Sequence, residues 1–176
     1  MTLFFSIIAL LCGASQVLAE AKIQVYFSPK GGCTEAVVET LNSASNTVWV
    51  QAYSFTSAPI AKALVDAKRR GLQIQVILDK SQRTGRYSEA DFLQHNAIPT
   101  FIDAEHAIAH SKIMIIDNQT VITGSFNFTK QAEKENAENL LVIREPGLAA
   151  KYAVNWREHF KHSTAYTRKT RLTPQF

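Results

Sequence analysis

Apolar positions along this chain fall into two alternating kinds of segment: compact runs of β-branched and aromatic residues, and stretches with helical spacing. IQVYF from Ile23, TVWVQAYSF from Thr47 and QIQVILD from Gln73 read as strands. Two amphipathic helices lie between them. The first runs from Thr34 to Ala44 with Ala36, Val37, Leu41 and Ala44 toward a core; the second is opened by Ser57 and Pro59, continues to Arg70 and is stopped by Gly71. Lys80 to Tyr87 is a polar loop carrying Gly85, followed by a short helix from Ser88 to Asn96 and a brief strand from Ile98 to Ile102. HSKIMIID from His110 and TVITG from Thr120 read as strands joined by a tight hairpin at Asp117, Asn118 and Gln119. AENLLVI from Ala137 is a further strand, and a last amphipathic helix covers Pro146 to His162. Repeated strand, helix, strand units predict an α/β fold, a mixed β-sheet flanked by helices on both faces.

The opening segment MTLFFSIIALLCGASQVLAEA departs from this pattern. An apolar stretch followed by small residues reads as a signal peptide, cut after Ala19 or Ala21, although no Lys or Arg stands near Met1. Leu3 to Leu11 falls short of the roughly 20 residues that a spanning helix needs, so no stable membrane anchor is expected. The expected organisation is therefore a leader over residues 1–21 and one domain over 22–176, secreted or periplasmic. Cleavage removes Cys12 and leaves Cys33 alone, which excludes an intramolecular disulfide and a cysteine-based zinc cluster. Cys33 reads as a small apolar residue near a helix start.

Composition adds little to the fold but narrows the partners. With 46% hydrophobic and 19% charged residues, the chain can build a core and is not a disordered type. The net charge of +4 includes clusters at Lys68, Arg69, Arg70, at Lys80, Arg83, Arg86, and at Lys161, Arg168, Lys169, Arg171. Such clusters suit a polyanion, and taken alone they also suit an ordinary solvated surface.

Candidate chemistry concentrates in one stretch. His110 and Lys112, two apart in a predicted strand, present an imidazole and an ammonium on one face. Gly124, Ser125 and Asn127 close the next strand in a turn that offers backbone approach and hydrogen-bond donors. Attack on an anionic phosphodiester needs its oxygens neutralised, a task for Lys112 and Asn127, and a nucleophile, a task for neutral imidazole with its ordinary pKa of about 6.5. Glu138 is the candidate carboxylate to hold the imidazole tautomer. Asp117 could simply begin the hairpin turn, and Asp79, Asp103 and Asp117 have no metal-site spacing.

The pattern HxKxxxxDxxxxxxGSxN, satisfied by His110, Lys112, Asp117, Gly124, Ser125 and Asn127, resembles the signature of the phospholipase D superfamily. AYSFTSAPIAKALVDAKRRGLQIQVILD resembles the segment preceding the motif in that family, and NAE at Asn136 to Glu138 resembles its downstream segment. The resemblance covers nearly all of the mature chain and is greatest to the small single-motif bacterial endonucleases. It implies an α/β sandwich and a two-step reaction through a phosphohistidine, with no divalent metal and no cofactor. By position, His110 resembles the nucleophile, Lys112, Ser125 and Asn127 the phosphate-binding groups, and Glu138 the partner of the histidine. Asp117 and Gly124 resemble structural positions. Tyr53 and Phe55 are candidates to line the site, though core is the commoner role of strand aromatics.

Larger members carry two motif copies and this chain has one, so the resemblance implies a homodimer with its active site on the two-fold axis. His95, His106, His159 and His162 are alternatives for the second acid, and surface positions explain them more simply. The expected activity is a non-specific endonuclease acting on DNA, with RNA as a further candidate. A phospholipase D or phosphatidyl transferase, and a silent nucleic-acid binder, are the competing readings.

Overall fold

The strand-forming segments pair into one eight-stranded mixed sheet with the order β1-β7-β6-β5-β2-β3-β4-β8. In chain order the elements are β1 (Lys22–Ser28), α1 (Cys33–Asn42), β2 (Thr47–Ala52), α2 (Ala58–Arg69), β3 (Gln73–Asp79), α3 (Ala90–His95) and β4 (Thr100–Asp103). Then follow β5 (Lys112–Ile116), β6 (Thr120–Gly124), α4 (Lys130–Lys134), β7 (Glu138–Arg144), α5 (Pro146–His162) and β8 (Thr164–Ala165). This computed structural model describes residues 21–167. The expected leader up to residue 20 and the basic positions Arg168, Lys169 and Arg171 lie outside the described residues.

β2, β3 and β4 run parallel, and every other pairing is antiparallel. Parallel neighbours need a long crossover, which α2 supplies between β2 and β3. All of β5, KIMII, is buried, because helices cover both faces of the sheet there. On one face α1 and α2 pack over Val48, Val50, Ile74, Val76, Met114 and Ile122. On the other, α5 alone packs Ala149, Ala153 and Trp156 onto Ile77, Ile113, Ile115 and Val121. A ladder of rings fixes α5: Trp49 stacks on Trp156 at 4.9 Å, Trp156 on Phe160 at 5.2 Å, and Phe101 meets Phe160 edge-on at 4.7 Å. The Trp156 indole N–H donates to the Val50 carbonyl at 3.0 Å, so the buried ring keeps its polar atom paired. The predicted α/β sandwich is the observed one.

Local differences from the sequence pattern are instructive. The loop at Lys80 begins with a 3-10 turn over Lys80–Arg83, capped by the Asp79 carboxylate, which accepts from the Ser81 N–H at 2.8 Å. The strand expected from Ile98 begins two residues later, at Thr100. β5 starts at Lys112, so His110 and Ser111 precede the strand rather than belonging to it. α4 and β8 carry no sequence signal: five residues are too few to show a helical period, and two residues form a strand only because β4 offers an edge. The hairpin between β5 and β6 is as expected, with Asp117 and Asn118 both left-handed at φ 53 and 52, a region that Asp and Asn tolerate.

Candidate active site

His110 sits at the end of the loop that feeds β5. The Tyr53 N–H donates to the Ser111 carbonyl at 2.8 Å, which prolongs the β2–β5 pairing beyond the strand and holds His110 beside the Tyr53 ring, 4.6 Å away. Lys112 is only 6% exposed. Its ammonium donates to the His110 carbonyl at 2.8 Å, stands 3.0 Å from each of the two ring nitrogens and lies 5.2 Å from the Tyr53 ring centre. Burial pushes the Lys112 pKa below the ordinary lysine value, and the negative charge of Glu138 opposes that shift. The result is a desolvated cation beside an imidazole.

The GSFN segment closes the site from the end of β6. Gly124 has φ 144, and a Cβ there would stand 2.3 Å from the Asn139 carbonyl oxygen, so only glycine fits. Phe126 and Phe128 are fully buried and anchor the segment, Phe128 against Phe55. Ser125 and Asn127, which alternate with these anchors, face the other way. The Ser125 oxygen accepts from the Asn139 backbone N–H at 3.1 Å and from its side-chain amide at 3.3 Å, which leaves the hydroxyl hydrogen to donate into the site. The Asn127 Oδ1 position is buried without a hydrogen-bond partner. An amide end there, turned to present its NH₂, is a ready donor to an anion.

Glu138 opens β7, and its Oε1 accepts from the Asn136 side chain at 3.1 Å. Among the described residues no hydrogen bond joins Glu138 to His110: Lys112 occupies the nitrogen edge of the ring, and Asn136 holds the carboxylate. His110, Lys112, Gly124, Ser125, Asn127 and Glu138 nevertheless line a single open depression of about 320 Å³. Asp117 is elsewhere. Its carboxylate accepts from the backbone N–H groups of Ser45, Asn46 and Thr47 at 2.8, 2.8 and 2.9 Å, fastening the turn that enters β2. Tyr53 flanks the depression, whereas Phe55 is core. Asn136, singled out with Glu138 in the NAE segment, is the residue that holds the carboxylate; Asn139 was not anticipated, and its place ahead of the apolar LLVI was the available signal.

The domain family described as "Cardiolipin synthase, PLD-like domain" matches residues 37–162. The chain belongs to the phospholipase D superfamily. Among superfamily relatives, "Phospholipase D" of Rickettsia bellii is 40% identical over 79% of this chain and 69% of its own length. Among solved structures, Nuc from Salmonella typhimurium, a phospholipase D family member, has a TM-score of 0.80 and 40% identity over 84% of this chain and 99% of that one. NucT from Helicobacter pylori shares the fold, with a TM-score of 0.77 at 24% identity over 84% of this chain and all of NucT. Superfamily membership supports hydrolase chemistry on a phosphodiester.

Proposed function

We propose that this phospholipase D superfamily protein is an exported endonuclease that hydrolyses DNA, and RNA by the same route, through a phosphohistidine on His110 without a metal. The observation that carries the reading is the depression itself: open, about 320 Å³, and walled by five polar or charged side chains and one glycine. Such a site can receive a phosphate held in a continuous backbone, and none of its six lining residues is aliphatic. Lys112, Ser125 and Asn127 supply the charge neutralisation and donors that a metal would otherwise provide. The likeness to Nuc along nearly all of that chain supports the same substrate class.

In the first step a His110 nitrogen attacks phosphorus, a P–N bond forms, and the bond to the leaving oxygen breaks. That oxygen takes a proton from the protonated His110 of a second copy. Water then attacks phosphorus, gives its proton to the second imidazole, and the P–N bond breaks to regenerate His110. Glu138, held by Asn136, is placed to balance the positive charge as the imidazole becomes cationic. A homodimer supplies the second imidazole. Ile23, Val25 and Phe27, 56, 50 and 65% exposed on one side of edge strand β1, support a self-associating face, and β1 pairs directly with β7, which carries Glu138.

The relatives named phospholipase D favour a second reading, hydrolysis of a phospholipid headgroup ester, which presents the same phosphodiester. Nicking of supercoiled plasmid and choline release from phosphatidylcholine vesicles, measured at 25 °C in chelator, separate the two. The expected outcome is plasmid cleavage that His110→Ala lowers by about a thousandfold or more, with acid-labile phosphate trapped on His110 in the wild type. Faster turnover of the lipid, or DNA cleavage surviving in His110→Ala, would overturn the reading.

A further inference from the structure

Away from the depression, the fold assembles a second cluster of ligating side chains from two distant parts of the chain. Asp103 ends β4, and His106 follows three residues later in the connection that leads to His110. His159 and His162 lie three residues apart on the last turn of α5, a spacing that puts both on one side of the helix. The ladder through Trp49, Trp156, Phe160 and Phe101 sets the rotation of α5, and so aims that side at the end of β4.

All four side chains converge. The Asp103 carboxylate is fully buried and stands 2.7 Å from His159 Nδ1, 3.3 Å from His162 Nε2 and 3.4 Å from His106 Nδ1. The three imidazole rings lie 4.9 to 5.4 Å apart, centre to centre. One ligand atom from each of the four residues lies within 4.8 Å of every other. Bond lengths of about 2.0–2.2 Å around a tetrahedral Zn²⁺ place neighbouring ligand atoms about 3.4 Å apart, so the ion would open the 2.7 Å His159–Asp103 contact by under 1 Å and draw in the widest pairs by at most about 1.4 Å.

The donor chemistry selects the ion. Three imidazole nitrogens are borderline ligands, and with a single carboxylate oxygen the set suits Zn²⁺ and disfavours Ca²⁺ and Mg²⁺, which prefer oxygen throughout. The supporting contacts are also in place: the Glu105 N–H donates to Asp103 Oδ1 at 3.1 Å, and Lys80 donates to the His106 carbonyl at 2.9 Å. His106, 46% exposed at its side chain, leaves an entry path. None of the four residues lines the depression that holds His110.

We propose that Asp103, His106, His159 and His162 form a structural Zn²⁺ site that fastens the C-terminal end of α5 to the β4–β5 connection. The ion would join two segments more than fifty residues apart in sequence and steady the loop that carries His110, with no part in bond cleavage. This holds whether the substrate is nucleic acid or lipid.

The test uses the untagged mature chain, equilibrated with ZnCl₂ and dialysed, with elemental analysis, thermal unfolding, and the absorption spectrum after Co²⁺ substitution. The expected result is one zinc per chain, a Tm raised by about 5–10 °C over the chelated protein, and the visible bands of tetrahedral Co²⁺. His106→Gln and His162→Gln, both at partly exposed positions, should each weaken zinc binding at least tenfold, with an unchanged circular dichroism spectrum. Substoichiometric zinc in the wild type, wild-type zinc affinity in either variant, or a Tm indifferent to zinc would each overturn the proposal. Chelated protein that stays folded at 25 °C yet loses all cleavage would overturn the purely structural role.

Discussion

Ser125 shows how neighbours give a hydroxyl its direction. Two donors from Asn139 fill the acceptor side of its oxygen, so the hydrogen is left to donate elsewhere, in the proposed reaction to a phosphate oxygen. Asn139→Ala removes one of these donors and should lower kcat about tenfold, with little effect on KM. Asn139→Asp should cost more, because a carboxylate would accept the Ser125 hydrogen and turn it from the substrate; equal losses in the two variants would contradict this account. Cys33 illustrates a residue removed from chemistry. It is fully buried at the start of α1, and burial, with the charges of Glu133 and Glu35, raises its thiol pKa to about 11. Because the folded value lies above the unfolded one, this group favours the folded state fully at neutral pH, and the contribution is lost as pH rises from about 9 through about 11. Urea titrations across that window should show stability falling, and Cys33→Ala should flatten the slope.

At the level of elements, the β5–β6 hairpin does two separable jobs. Its start delivers Lys112 beside His110, and its turn delivers Asp117 to the N–H groups at Ser45, Asn46 and Thr47. Asp117→Ala strips three backbone donors of a charged acceptor and places alanine at φ 53, so a loss of about 2–3 kcal/mol in unfolding free energy is expected. Asp117→Asn keeps a residue suited to the left-handed turn and should lose about half as much. In both variants the remaining folded protein should cleave substrate at near wild-type kcat, since Asp117 is not among the residues of the depression. A large fall in kcat without a change in stability would reassign Asp117 to the reaction.

For the whole molecule, the uneven helix cover is the governing fact. α5 shields the middle of one sheet face, while Ile23, Val25 and Phe27 on the edge strand stay open to solvent. An apolar row on an edge strand is an aggregation hazard unless a partner covers it. Phe27→Glu should convert the proposed dimer to a folded monomer by sedimentation analysis and reduce cleavage at least a hundredfold, because each chain would lose the second imidazole. Full activity in that monomer would place the general acid within one chain. Mixing His110→Asn protein with wild type should give heterodimers with no restored second site.

The sequence by itself determined the α/β class, most strand and helix positions, and the group His110, Lys112, Gly124, Ser125, Asn127 and Glu138 that the fold gathers into one depression. These were legible because strand and helix periods are local, and because glycine, lysine and histidine at fixed spacing have few structural substitutes. The tertiary structure alone decided what depends on partners distant in the chain. Asn139 matters only because β7 passes beside the end of β6, and Asp117 only because its turn meets the entry to β2. Asp103 and His106 lie more than fifty residues from His159 and His162, and their convergence rests on the packing of α5 against the sheet. No period or motif in a linear chain encodes that rotation; it follows from how Trp156 and Phe160 fit onto Trp49 and Phe101.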